Sequence, residues 1–160
     1  MDDFDRKLFL RMLGDVVEDT GWRGHAYCLM ANHYHLLIET PEPNLSAGMH
    51  RLNLRYARRF NRQYGFEGHV FDRRFYSRLV RADWDLLEVL RYVVLNPVRV
   101  GLCGHPADWP WSSYRATVGQ MSRPDFLTTD RILSFFGPDA AAAREGYRRF
   151  IAEGLIHRAA

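Results

Sequence analysis

Residues 33–39, HYHLLIE, alternate strictly between two kinds of side chain, and that period of two constrains the fold more than any other feature. The preceding run from Trp22 to Met30 is strand-like, and Ala31-Asn32 is a short turn signal, so the two runs are expected to form an antiparallel hairpin. A lone hairpin is marginal in water and needs helices against it. Phe4, Leu8, Met12, Leu13, Val16 and Val17 recur at helical spacing before Gly21, which predicts a helix over 3–20. Leu45, Met49, Leu52, Tyr56 and Phe60 predict a second, capped by Asn44 or Ser46 and closed by Gly65. Asp83 caps a third, with Leu86, Leu87, Leu90, Val93 and Val94 inward, and Pro97 is expected to end it because the residue before a proline avoids the α region. Between them, 69–80 is rich in aromatic and branched residues and is expected to contain another strand. A short helix at SSYRA, one over 129–136 and one from Asp139 to about Glu153 complete the reading. The class is α+β, with a boundary after Gly119: a mixed core over 1–119 and a helical C-terminal tail over 120–160.

At 160 residues and 47% apolar, the chain is a folded globular protein rather than a disordered one. No apolar run approaches the roughly 20 residues of a membrane span, and MDDFDRK lacks the form of a signal peptide. Cys28 and Cys103 have neither metal-ligand nor disulfide-framework spacing, which suits thiols in a cytoplasmic protein. The net charge is only +3, but its distribution is uneven. Arg51, Arg55, Arg58, Arg59, Arg62, Arg73, Arg74, Arg78 and Arg81 fall in one stretch opposed only by Glu67 and Asp72. Guanidinium grips phosphate bidentately and stacks on bases. The stretch therefore reads either as a solvated helix face or as a surface for nucleic acid, and the local lack of acids favours the second.

His33 and His35 point to one side of a strand, with Cα atoms about 6.6–6.8 Å apart. Two imidazoles so placed can lean onto one divalent ion, or they can simply be hydrogen-bonded histidines. Tyr34, Leu36 and Ile38 point to the other face and can join the core. Tyr92 and Asn96 lie four apart and share a helix face offset from the apolar stripe. One reading makes Asn96 a metal ligand and Tyr92 a hydroxyl that reaches a substrate on that metal. The other makes Tyr92 a half-buried aromatic and Asn96 the cap before Pro97.

Four segments, YCLMANHYHLLIETPEPNLSAGMHRLN, RFNRQYGFEGHVFDRRFYS, LRYVVLNPVRVGL and DWPWSSYRA, together resemble the REP-associated tyrosine transposases of the single-tyrosine HUH superfamily. The resemblance runs in order from about Leu8 to Gly154. It implies an antiparallel ferredoxin-like sheet with helices packed on one face, and a nuclease core over 1–119. It also implies a further strand before the first helix, which this sequence begins without. The resemblance makes His33, His35 and Asn96 ligands of a divalent metal, Mg2+ or Mn2+, and Tyr92 the nucleophile that forms a 5′-phosphotyrosine. The DNA-binding arginines would be Arg51, Arg55, Arg58, Arg59, Arg62, Arg73, Arg74 and Arg78, acting on single-stranded or hairpin DNA as a monomer or homodimer. Two other functions stay open: a truncated or domesticated hairpin-binding protein without catalysis, and an unrelated metalloenzyme acting on small molecules. The long basic stretch argues against the latter.

Overall fold

The computed structural model describes residues 2–156. Helix α1 spans Asp3–Thr20. Its first turn is closed reciprocally: the Asp5 amide donates to the Asp2 carboxylate at 2.8 Å and the Asp2 amide to the Asp5 carboxylate at 3.1 Å. Gly21, at φ 70°, ends it in the left-handed conformation that a side chain would resist. Strands β1 (Arg23–Leu29) and β2 (Tyr34–Glu39) follow as an antiparallel pair, with Cys28 opposite His35 and Leu29 opposite Tyr34. A bulge between Gly24 and Ala26 accommodates His25, whose ring is buried between the Thr128 carbonyl and the Glu39 carboxylate. The expected α+β class and antiparallel pairing are therefore present, and among the described residues the sheet has two strands.

Helix α2 spans Leu45–Tyr64 and closes at Gly65, φ 60°. Asn44 flanks its start, but the Asn44 side chain is used elsewhere: it accepts from Trp22 Nε1 at 2.6 Å and donates to the Thr20 carbonyl. Helix α3 spans Asp83–Arg99. Short helices α4 (Tyr114–Thr117) and α5 (Asp130–Leu133) lead to α6 (Ala140–Ile156). The α5 segment is shorter than the expected 129–136.

Helices cover both faces of the hairpin, not one. Tyr27 and Leu29 pack with Phe9, Leu13 and Val16 of α1 and Leu52 and Tyr56 of α2. Ala26, Cys28 and Leu37, on the opposite face, pack with Leu90, Val94 and Leu95 of α3 and Tyr147 and Ile151 of α6. The reason is in the strands: β1 is apolar at consecutive positions, so each face needs a cover. Residues beyond 119, including Leu127, Ile132, Tyr147 and Ile151, belong to these same two cores. Among the described residues no helix is long and apolar enough to cross a membrane.

Two expectations fail for physical reasons. The strand sought in 69–80 does not form; the segment has no regular secondary structure. A strand needs a partner edge for its backbone groups. The outer edge of β1 is met by isolated bridges to Ser112 and Leu127, while residues 71–83 meet β2 through side chains, as Phe71 meets Tyr34, with no backbone ladder between them among the described residues. Pro97, expected to end α3, lies inside it. Proline lacks an amide hydrogen, so it forfeits one helical bond. Past it, the Val100 amide still donates to the Asn96 carbonyl and the Leu102 amide to the Pro97 carbonyl, so the last turn closes around the ring.

The contact of Gly48 with Trp22 fixes how α2 meets the start of β1. A Cβ on Gly48 would lie 2.2 Å from Trp22 Cζ2. Gly48→Ala is expected to destabilise by about 1–3 kcal/mol through overpacking, even against the helix preference of alanine. Gly104→Ala, with nothing within 4 Å of its Cβ, should stay within about 0.5 kcal/mol of the parent. Urea unfolding of both variants checks this; equal effects would contradict the packing described.

Candidate active site

The hairpin turn closes with the Met30 amide donating to the His33 carbonyl at 2.8 Å. His33 therefore stands at the mouth of the turn, exposed, and His35 sits two residues further in, half-buried. Their rings lean together as the period of two requires, with centroids 4.9 Å apart and planes at 86°. Tyr34 points the other way, 4.6 Å from the Phe9 ring, with its hydroxyl donating to Asn53 Oδ1 at 2.7 Å.

Helix α3 lies across the histidine face. Tyr92 meets His35 edge-on, centroids 5.5 Å apart at 90°, while its ring stays 43% exposed. One turn on, Asn96 is 6% exposed, and its Nδ2 donates to the Tyr92 carbonyl at 3.2 Å. That bond uses the nitrogen of the amide and leaves Oδ1 to face other partners, His35 among them. Asn96 is thus a buried residue of the helix rather than its C-terminal cap.

The donor chemistry suits a divalent ion. His35 Nε2 is buried with no hydrogen-bond partner. Burial, then the neighbouring His33, pull the His35 pKa below the ordinary imidazole value, against a smaller opposing effect of the Asn96 side chain. The ring is held neutral, the form that ligates a metal. His33 Nδ1 lies 2.9 Å from Asn32 Oδ1, and donating there leaves its Nε2 lone pair free. Among the described residues no three His, Cys, Asp or Glu side chains converge to hold a metal, so the Asn96 amide would have to complete such a set. Cys28, opposite His35 in the register, offers nothing: its thiol is buried and its pKa is pushed up to about 12.

The profile of the family described as Transposase IS200 like matches residues 2–96, more than half of the chain. The chain belongs to the IS200-like transposases. A Haemophilus influenzae protein that carries the name REP-associated tyrosine transposase is 34% identical over 104 residues. That match takes in 58% of this chain and 59% of the relative, so the chain spans little more than half the length of the curated protein it matches. A solved structure described as a REP-associated tyrosine transposase bound to a REP hairpin shares the fold, with a TM-score of 0.61 at 20% identity over 76% of this chain and 73% of that one.

In this member of the family, His33, His35 and Tyr92 line a groove of about 1090 Å³ bounded by β2, α3 and residues 71–83. Arg73, Arg78, Arg81, Arg99 and Arg131 also line it, giving it a cationic wall. The expected DNA-binding arginines divide by their partners. Arg51 pairs with Asp19, and Arg55 with Asp15 at 2.8 Å, both acids on α1. Arg58, Arg59, Arg62, Arg73 and Arg74 are exposed, and Arg78 pairs with Asp85. Sequence reasoning missed Arg99, whose guanidinium carbon lies 4.8 Å over the Tyr92 ring. The signal was a spacing of seven, two helical turns, hidden by the expectation that α3 stops at Pro97.

Manganese titrated into the protein by calorimetry tests the donor set. His35→Ala is expected to weaken binding by about 10-fold or more, on the scale of even supporting residues in metal sites. Cys28→Ala, one position across the register, should leave the affinity unchanged. Unchanged affinity in His35→Ala would remove that imidazole from the set.

Proposed function

We propose that this chain cleaves and rejoins single-stranded DNA beside palindromic hairpins, with Tyr92 as the attacking group. In the first step the bond from Tyr92 Oη to phosphorus forms and the bond from phosphorus to the 3′ oxygen breaks. The phenol proton passes to solvent, and the departing oxygen takes up a proton to become a free 3′ hydroxyl. The products are a 5′-phosphotyrosine and an open strand. One diester has been exchanged for another, so the 3′ hydroxyl of a second end can reverse the step without ATP. The observation that carries this reading is the Tyr92 ring set edge-on against His35 in the groove that also holds His33.

His33, His35 and Asn96 would hold a divalent metal, manganese or magnesium. Such an ion, when bound, withdraws charge from the non-bridging phosphate oxygens and orients phosphorus for in-line attack. Two neutral imidazoles and an amide leave its positive charge uncancelled, and imidazole suits manganese better than it suits oxygen-preferring magnesium. Tyr92 supplies the nucleophile, Asn96 steadies the helix turn beneath it through the bond to the Tyr92 carbonyl, and the groove keeps the strand against both. The hairpin as substrate is taken from the solved structure that shares the fold. Arg58, Arg59, Arg62, Arg73, Arg74 and Arg78 would carry backbone phosphates. Arg51, Arg55 and Arg78 would contribute less, because Asp19, Asp15 and Asp85 already engage them.

The test is incubation with labelled, hairpin-bearing single-stranded DNA and manganese, followed by denaturing electrophoresis. Tyr92→Phe is expected to abolish the covalent adduct while DNA binding stays within about 2-fold, since only a hydroxyl is lost from a partly exposed ring. An adduct from Tyr92→Phe would overturn the assignment. Hairpin binding with no adduct from the parent would favour the binding protein without catalysis.

The arginine surface has its own readout. Arg58→Ala is expected to lower the slope of log K against log salt by about 0.7 on single strands or about 0.9 on duplex stems. Matched and scrambled hairpins should weaken by similar factors, because phosphate contacts position without specifying sequence. A loss confined to the matched hairpin, with the slope unchanged, would make Arg58 a base reader.

A further inference from the structure

Among the arginines that line the groove, Arg99 is set apart by its contact with the Tyr92 ring; like Arg73 and Arg81 it has no carboxylate partner among the described residues, whereas two others do. Arg78 is paired with Asp85, and Arg131 with Glu39 and Asp83. Arg99, exposed in the last turn of α3, has no carboxylate partner among the described residues; its contact is the face of the Tyr92 ring, 4.8 Å from guanidinium carbon to centroid. The ring of Tyr92 is therefore held from two sides, edge-on by His35 and face-on by Arg99. A guanidinium stacked on an aromatic face keeps its N–H donors in its own plane, free at the edge of the stack. Arg99 lines the groove together with both histidines. A cation with no protein carboxylate among the described residues thus stands beside the phenol, its donors open to solvent or to a ligand.

We propose that Arg99 is a catalytic residue of the transfer reaction: it stacks on Tyr92 and uses its N–H fork to hold a non-bridging oxygen of the phosphate that Tyr92 attacks. This rests on Tyr92 being the nucleophile. The guanidinium stays protonated throughout and gives up no proton. It fixes the ring against the phosphate and opposes the negative charge that builds on phosphorus-bound oxygen during attack. A lysine would bring the charge but neither the flat stack nor the bidentate fork. Helix position alone accounts for a cation here, since the last turn of a helix favours one. A merely dipole-pairing arginine, however, would affect stability and leave the chemical step untouched.

The experiment is single-turnover adduct formation at saturating hairpin-bearing single-stranded DNA with manganese, alongside the dissociation constant and the melting temperature. Arg99→Ala is expected to slow the step about 100-fold, the scale of losing one charge-stabilising donor. Its dissociation constant should change by less than about 5-fold, the size of a single phosphate contact among many. Arg99→Lys should recover less than a tenth of the lost rate, and ethylguanidinium in solution should speed Arg99→Ala but not Tyr92→Phe. A parent-like rate for Arg99→Ala at saturating DNA, a loss found wholly in the dissociation constant, or full recovery by lysine would overturn the proposal. Because Arg99→Lys and chemical rescue are read on folded protein, a lowered melting temperature in Arg99→Ala does not blunt the test. An adduct formed by Tyr92→Phe would instead overturn the Tyr92 reading itself, whatever Arg99 does.

Discussion

The direction of every side chain in the groove depends on the register of the β1–β2 hairpin. Cys28 faces His35 across the ladder, so the odd-numbered residues of β2 share one face and the even-numbered ones the other. A slip of one residue would turn both imidazoles toward α1 and α2 and bring Tyr34, Leu36 and Ile38 onto the α3 side. The register is held at three places. The Met30–His33 bond closes the turn; the bulged His25 is tied to Thr128 and Glu39; and the far edge of β1 is held by the Leu29 amide donating to the Trp111 carbonyl and the Ser113 amide to the Tyr27 carbonyl. Trp111, Ser113 and Thr128 thus help to aim histidines far earlier in the chain.

The second requirement is that α3 continue beyond Pro97. The helix brings Tyr92, Asn96 and Arg99 to one side, against β2, while Leu90, Val94 and Leu95 enter the core. Had the chain stopped being helical at Pro97, Asn96 would be a frayed end rather than a buried amide bonded to the Tyr92 carbonyl. The result is a division of charge. The donors nearest the histidines are neutral, and the positive charge sits on surrounding guanidinium groups. Such an arrangement suits a polyanion and would leave the charge of an ion at its centre uncancelled.

Much of this was legible from the chain. Helical spacing over 3–20 and 45–64 gave those elements because there the apolar period coincides with the buried face, and strand composition gave 33–39 although its one buried residue, Leu37, lies on the histidine face. Two features were not legible. Residues 69–80 have strand-like composition, but strand formation depends on a partner edge, which local sequence does not report. The cover on both hairpin faces follows from tertiary packing of α3 and α6 against Ala26 and Cys28, residues too small to advertise a core. At the site, the histidine pair and the shared face of Tyr92 and Asn96 were readable from spacing. The acids that engage Arg51 and Arg55 were not, because Asp19 and Asp15 come from a different helix.

The central claim is that one tyrosine, Tyr92, carries the chemistry because the fold sets it against the histidine pair. The most direct measurement is peptide mapping of the protein–DNA adduct by mass spectrometry after nuclease and trypsin treatment. Cleavage after Arg91 and Arg99 releases YVVLNPVR, residues 92–99. The account requires the residual nucleotide mass on Tyr92 in that peptide. The same mass on Tyr76, which is 90% exposed on the opposite wall of the groove, or on Tyr64 at the end of α2, would contradict it.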